Sequence, residues 1–184
     1  YQNEIQPIVK LSEKGSYTKI ETYQDEDGNI HRDNDLPAEI YYSDNVILKL
    51  KWYHHGKLHR EGDLPAFIRH TYGEINNTRT RKWYKHGIIC RADLNGVHRP
   101  AYVRNITSIH SGKSKICKWY IDGKLGRLDD LPASVRYYED GSICESYWYI
   151  NGIKSRLDDK PTSESFYENG KIYHRKWRVN GLKH

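Results

Sequence analysis

Apolar and aromatic residues in this chain come in short runs, each closed by a turn pair. "FIRHT" (67–71), "SVRYY" (134–138), "SKICKWYI" (114–121) and "SICESYWYI" (142–150) are rich in β-branched and aromatic residues and read as strands. One series of turn pairs is Lys14-Gly15, Asp44-Asn45, Tyr72-Gly73, Ser111-Gly112, Asp140-Gly141 and Asn169-Gly170. A second is His55-Gly56, His86-Gly87, Asp122-Gly123, Asn151-Gly152 and Asn180-Gly181. Asp-Gly and Asn-Gly between β-type runs are hairpin signals, because both central residues take positive φ. A Gly or Pro about every ten residues disfavours helix. The pattern predicts an all-β chain of tandem hairpins, forming an elongated antiparallel meander or a solenoid-like sheet.

The punctuation is periodic. The five tryptophans are Trp52, Trp83, Trp119, Trp148 and Trp177, and the six prolines are Pro7, Pro37, Pro65, Pro100, Pro132 and Pro161. Both series advance by about thirty residues, as in repeat architectures. "KWYHHGKLHREGDLPAFIR" (51–69) is echoed by "KWYIDGKLGRLDDLPASVR" (118–136). The reading is a single array over residues 1–184, with about six units starting near those prolines and the last incomplete. The chain starts at Tyr1 and has no Met, which suggests a trimmed piece whose array continues or is completed by a partner.

Strand alternation places the tryptophans on one face and Tyr53, Tyr84, Tyr120 and Tyr149 on the other. The indoles are expected to stack from unit to unit as a spine. Arg and Asp recur three apart, as Arg32/Asp35, Arg60/Asp63, Arg127/Asp130 and Arg156/Asp159. A guanidinium clamping the carboxylate and nearby carbonyls would pin the polar link. The unit after Trp83 carries five extra residues, Asn95 to Arg99, which are expected to bulge as a loop.

Composition narrows the class. Mean hydropathy is −0.93 with 36% apolar residues, lean for a compact globule, but 16 tyrosines argue against disorder. Net charge is +6 without a block of like charges, which permits an anionic partner without requiring one. Three cysteines, Cys90, Cys117 and Cys144, with no CxxC pair, argue against a disulfide framework and for a reducing compartment. No stretch approaches the 18 apolar residues of a membrane span.

Candidate chemistry is sparse. His54, His55 and His59, or His31 with His59, could bring imidazoles together, but the His slot is not kept across units. The carboxylates Asp129/Asp130, Asp158/Asp159 and Asp25/Glu26/Asp27 sit in polar stretches, with no nucleophile motif or phosphate loop. No catalytic residue, cofactor or metal ligand is assigned. "NTRTRKWYKH" (77–86) alternates basic and aromatic residues, with Arg79 and Arg81 on the face of Trp83 and Lys82 and Tyr84 on the other, and "YHRKWRVNGLKH" (173–184) carries Tyr173, Arg175 and Arg178. Cations beside aromatics suit a single-stranded nucleic acid.

The phrase Trp-x3-Gly-Lys-Leu-His-Arg, followed by Asp-Leu-Pro-Ala, resembles a MORN-like repeat variant found in tandem in proteins of large DNA viruses and some bacteriophages. The likeness runs from about residue 7 to 184. It departs where Cys90, Gly126 and Ser155 replace His, and where Thr162 follows Pro161. The resemblance implies elongated antiparallel sheets used as protein scaffolds, with membrane-lipid contact in some members. The expected function is a non-catalytic structural or protein-interaction module of a virus, as virion component or host-interacting factor, inside the cell or in the virion. Its partners are foremost other protein subunits, and membrane lipid less so; a basic nucleic-acid-binding module is the alternative.

Overall fold

The structure, a computed structural model, describes residues 6–11, 16–179 and 181–183. Strands β1 (Ile8–Leu11) and β2 (Lys19–Thr22) come first. Then β3 (Glu39–Ser43) and β4 (Val46–Lys51) form a long hairpin, followed by the short pair β5 (Tyr53–His54) and β6 (Lys57–Leu58). The same order recurs in β7 (Phe67–Thr71), β8 (Asn76–Lys82), β9 (Tyr84–Lys85) and β10 (Ile88–Ile89). It recurs again in β11 (Tyr102–Ser108), β12 (Gly112–Lys118), β13 (Tyr120–Ile121) and β14 (Lys124–Leu125). After β15 (Ser134–Tyr137) and β16 (Ile143–Tyr147) the short pair shrinks to an Ile150–Ile153 bridge. The chain closes with β17 (Ser163–Phe166), β18 (Ile172–Lys176), β19 (Arg178–Val179) and β20 (Leu182–Lys183).

The long strands make one 12-stranded antiparallel meander in chain order, from β1 to β18, with the short pairs outside it. It is not closed into a barrel, and among the described residues β1 and β18 each pair on one side only. At about 4.8 Å per strand the meander runs roughly 50 Å across its strands. Among the described residues there is no helix, and none is long and apolar enough to cross a membrane.

The turns explain the strand lengths. At Asp44-Asn45, His55-Gly56, His86-Gly87, Asp122-Gly123 and Asn151-Gly152 both central residues have positive φ, as two-residue hairpins demand. Asp140-Gly141 and Asn169-Gly170 differ from that expectation: only the Gly is left-handed. There Gly141 N–H donates to Tyr138 O (3.2 Å), and Tyr138 N–H to Ser142 O (2.9 Å). This is a longer loop ending in a bulge, and the register slips at Arg136/Tyr137 to accommodate it. Tyr72-Gly73 has no left-handed residue, and at Ser111-Gly112 only Gly112 is left-handed. Lys14-Gly15 and Asn180 lie outside the described residues.

The polar links hold a turn that the strand pattern does not announce. Asn34-Asp35, Gly62-Asp63, Asp129-Asp130 and Asp158-Asp159 are all left-handed at both positions. Each is closed by a backbone bond, such as Leu36 N–H to Asp33 O (3.2 Å) and Leu131 N–H to Leu128 O (3.2 Å). Asp, Asn and Gly tolerate this conformation, which explains the link composition.

The core lies in the middle of the array. Trp83, Ala101, Val103, Cys117, Trp119 and Val135 pack as one buried cluster. The Ala after each Pro has no accessible surface at Ala38, Ala66 and Ala133. Its carbonyl accepts the backbone N–H of a Trp, as in Trp52 to Ala66 and Trp119 to Ala133 (both 2.9 Å). A larger side chain there must push strand from Trp. The variant Ala133→Leu is expected to lose about 1–3 kcal/mol of unfolding free energy through overpacking, read from urea denaturation monitored by Trp fluorescence.

Candidate functional site

The densest geometry is the joint between successive hairpins. Each indole Nε1–H donates to a carbonyl in the link before it: Trp52 to Asp35 (3.0 Å), Trp83 to Asp63 (2.9 Å), Trp148 to Asp130 (2.8 Å) and Trp177 to Asp159 (3.1 Å). The Arg eight residues after the Trp lies over the ring, with Arg60, Arg91, Arg127 and Arg156 at 3.9–4.1 Å from the centroid. Such stacking is favourable by cation–π attraction.

The expected Arg–Asp clamp exists with different partners. Arg60 forks onto Asp35 (both 2.7 Å), Arg91 onto Asp63 (both 2.9 Å) and Arg156 onto Asp130 (both 2.9 Å). Each carboxylate therefore belongs to the preceding link, so Arg60/Asp63, Arg127/Asp130 and Arg156/Asp159 are not pairs. The left-handed turn aims each Asp towards the next unit. Within its own link the Arg donates instead to the Pro carbonyl, as Arg60 to Pro65 (3.4 Å) and Arg156 to Pro161 (3.3 Å). The bridge ties hairpin to hairpin, where the sequence spacing suggested a bond inside one link. Hydrogen bonds from Arg60, Arg91 and Arg156 respectively hold Asp35, Asp63 and Asp130 below the usual carboxylate range.

A further bond ties the short pairs together. Gly56 N–H donates to Ile30 O (2.9 Å), Gly87 to Leu58 O (2.8 Å), Gly152 to Leu125 O (2.9 Å) and Gly181 to Lys154 O (3.2 Å).

One joint departs from this plan. The inserted residues make a tight turn at Asn95-Gly96, bridged from Leu94 to Val97. His98 therefore stands two residues before Pro100, where the other links have Asp. Its carbonyl still accepts from Trp119 (3.0 Å), but its side chain offers Arg127 no carboxylate. Arg127 Nε and His98 Nδ1 are buried without a hydrogen-bond partner. Arg99, brought round by the turn, joins Arg91 on Asp63 (2.7 Å). Gly123 makes no bond to the preceding pair.

The histidines cluster without forming a metal centre. His31 stacks on His55 (4.5 Å between centroids) and His59 on His86 (4.4 Å), with His54 edge-on to His31, His55 and His59. His31 and His59 each contact a carboxylate, Asp33 (3.0 Å) and Glu61 (2.7 Å). Their Nδ1 atoms face the N–H groups of His55 (3.4 Å) and His86 (3.3 Å) in the next turn. They act as spacers between short pairs. No group of three or more His, Cys, Asp or Glu among the described residues is placed to hold a metal ion. Cys90, Cys117 and Cys144 are free, and burial raises the Cys117 thiol.

The residues expected to contact a partner do not converge. Arg79 and Arg81 share the indole face, Arg79 exposed and Arg81 half-buried with Nε unpartnered. Tyr84 lies on the opposite face: burial, then Tyr84, Tyr102 and Tyr149, push the Tyr120 phenol up. At the far end Tyr173 is exposed, Arg175 binds Glu164 (2.9 Å) and Arg178 binds Gly181 O (2.9 Å). Trp177 is 39% exposed against 5–7% for the other four, and among the described residues no Arg lies over its ring.

Two features escaped the sequence reading. One is a row of exposed leucines in the links. The other is an alternation of Lys and aromatic residues across the face opposite the indoles. Its signals were present: Lys51, Lys82 and Lys118 immediately precede a Trp, and Phe67 and Tyr102 immediately follow the buried Ala.

No family model matches the chain, and neither a curated protein nor a solved structure matches it.

Two outcomes test the joints. Because Asp35, Asp63 and Asp130 titrate lower in the folded chain than in the unfolded one, their stabilisation is complete above about pH 4–5. It is lost as pH falls through their depressed folded values. Urea unfolding should show a plateau at pH 5–7 and a decline below about pH 4, shallower in Asp130→Asn. Conversely His98→Asp restores the missing carboxylate opposite Arg127. It is expected to raise unfolding free energy by about 0.5–1 kcal/mol at pH 7, an effect that salt reduces.

Proposed function

We propose that the chain is a non-catalytic, MORN-like tandem-repeat module of viral kind, an elongated platform that binds other protein subunits within a reducing compartment or a virion. The leucine row carries this reading. Leu36, Leu64 and Leu131 stand directly before the Pro of their links, 43–44% exposed. Leu128 and Leu157, at the start of their links, are exposed further. The turn itself needs only left-handed residues and a backbone bond, so it does not account for an apolar side chain there. Equivalent positions two strands apart recur about every 10 Å, and a row of exposed apolar groups suits a protein contact. The clamped joints support the same reading, since a platform must hold its spacing. The three free cysteines fit a reducing site.

The test is copurification of the tagged chain at 100 and 500 mM salt, beside the triple variant Leu36→Ser, Leu64→Ser, Leu131→Ser. The expected outcome is a stoichiometric protein partner held at both salts and reduced at least tenfold in the variant, whose melting temperature stays within a few degrees. Equal recovery with both proteins, or no protein partner at either salt, overturns the reading.

A further inference from the structure

The face opposite the indoles carries a second surface, separate from the leucine row. Paired residues on neighbouring strands point to the same side of a sheet. Across β7, β8, β11 and β12 the register runs Phe67, Lys82, Tyr102, Lys118, alternating aromatic and cation on successive strands. The neighbouring row on the same face runs Arg69, Thr80, Arg104, Ile116. Phe67, Arg69, Lys82, Tyr102 and Arg104, together with threonines, line an open groove of about 270 Å³.

The cations here lack partners. Lys82, Lys118, Arg69 and Arg104 enter no ion pair or hydrogen bond among the described residues, and Arg104 Nε is buried and unsatisfied. These four strands contribute no Asp or Glu to this face. Lys51 on the flanking strand β4, paired with Phe67, is different. It is bonded to Glu39 (2.7 Å), with Tyr41 and Tyr53 completing the network. Lys82 lies 4.9 Å from the Phe67 ring centre and 5.8 Å from that of Tyr102, and Lys118 lies 5.2 Å from Tyr102. Burial, then repulsion from Lys118 and Arg69, lowers the Lys82 ammonium from its ordinary value; a bound anion would offset the repulsive part.

From the register and the unpaired charges we infer that this face binds single-stranded nucleic acid, with phosphates at Lys82, Lys118, Arg69 and Arg104 and bases against Phe67 and Tyr102. Alternating cations and π-faces match a strand that alternates phosphates and bases. A duplex is disfavoured because the cations lie in rows along paired strands, and among the described residues there is no helix to enter a groove. A lipid surface is disfavoured because none of the large apolar residues on these four strands' side of the groove is fully exposed for insertion. This site replaces the Arg79, Arg81 and Tyr84 grouping, which the sheet divides between two faces.

The experiment is fluorescence anisotropy of the whole chain with labelled dT20 at 50–200 mM salt. Four phosphate contacts predict a log–log salt slope of about −3, from about 0.7 per contact for single strands. The pair Lys82→Gln, Lys118→Gln is expected to weaken binding at least tenfold, and Arg79→Gln, on the indole face, less than twofold. Acetic anhydride labelling of the unmodified protein supplies a second readout, independent of how the substitutions affect folding. Lys82 and Lys118 should be protected by dT20, whereas Lys57 and Lys85 on the short pairs should not. Absence of dT20 binding at 50 mM salt overturns the inference, as does an Arg79→Gln effect equal to that of the pair. Tighter binding of a 20-base-pair duplex, polyglutamate or phosphatidylserine vesicles than of dT20 overturns it too, in favour of that ligand class.

Discussion

The structure depends on one shared constraint: no unit here supplies the acceptor for its own tryptophan's N–H. A two-stranded hairpin is marginal in water, and its indole has a large apolar face and one N–H to satisfy. The N–H is satisfied by the link of the hairpin before it, as Trp52 finds Asp35 O and Trp148 finds Asp130 O. An Arg from the Trp's own unit covers the ring and then reaches the same earlier link through its Asp. One side chain thus closes two surfaces. Removing the link that holds Asp35, Asp63 or Asp130 deprives the following indole of its acceptor and the following Arg of its carboxylate, which makes neighbours interdependent in the manner of solenoids.

The joint at His98 shows how the elements separate. There the indole bond and the Arg127 stacking persist while the carboxylate and the Gly123 bond are gone. The core is nevertheless deepest at this point, in the cluster from Trp83 to Val135. Apolar burial therefore holds the array at its centre, and the ionic bridges set spacing on either side. That ordering agrees with magnitude. A buried aromatic side chain contributes about 1.5–3 kcal/mol, whereas a partly exposed ion pair contributes about 0–1 kcal/mol.

The all-β meander was legible because period-two patterning and Asn-Gly or His-Gly turns are local signals. The left-handed links were less so: "DND", "EGD" and "LDD" read as merely polar, although Asp and Gly there meet a φ requirement. Partner choice was not legible at all. Arg60 lies three residues from Asp63 and twenty-five from Asp35, yet it binds the distant one, because the turn decides where the carboxylate points. The rows on the face opposite the indoles were hidden for a related reason. Arg81 and Lys82 are adjacent in sequence and opposite in space, and only strand register shows that Lys82 shares its face with Phe67 and Tyr102.

Register also explains why a net charge of +6 becomes a localised field. The indole face and its links use their acidic residues in the joints, where Asp35, Asp63 and Asp130 neutralise arginines. On the opposite face Glu39 neutralises Lys51, but strands β7 to β12 supply no carboxylate for their lysines and arginines. A nearly balanced composition, 30 basic against 24 acidic residues, is thereby sorted by the fold into a neutralised framework and an unneutralised central surface. Such a focused field raises the local concentration of an anionic ligand far more than the same charges scattered over the molecule.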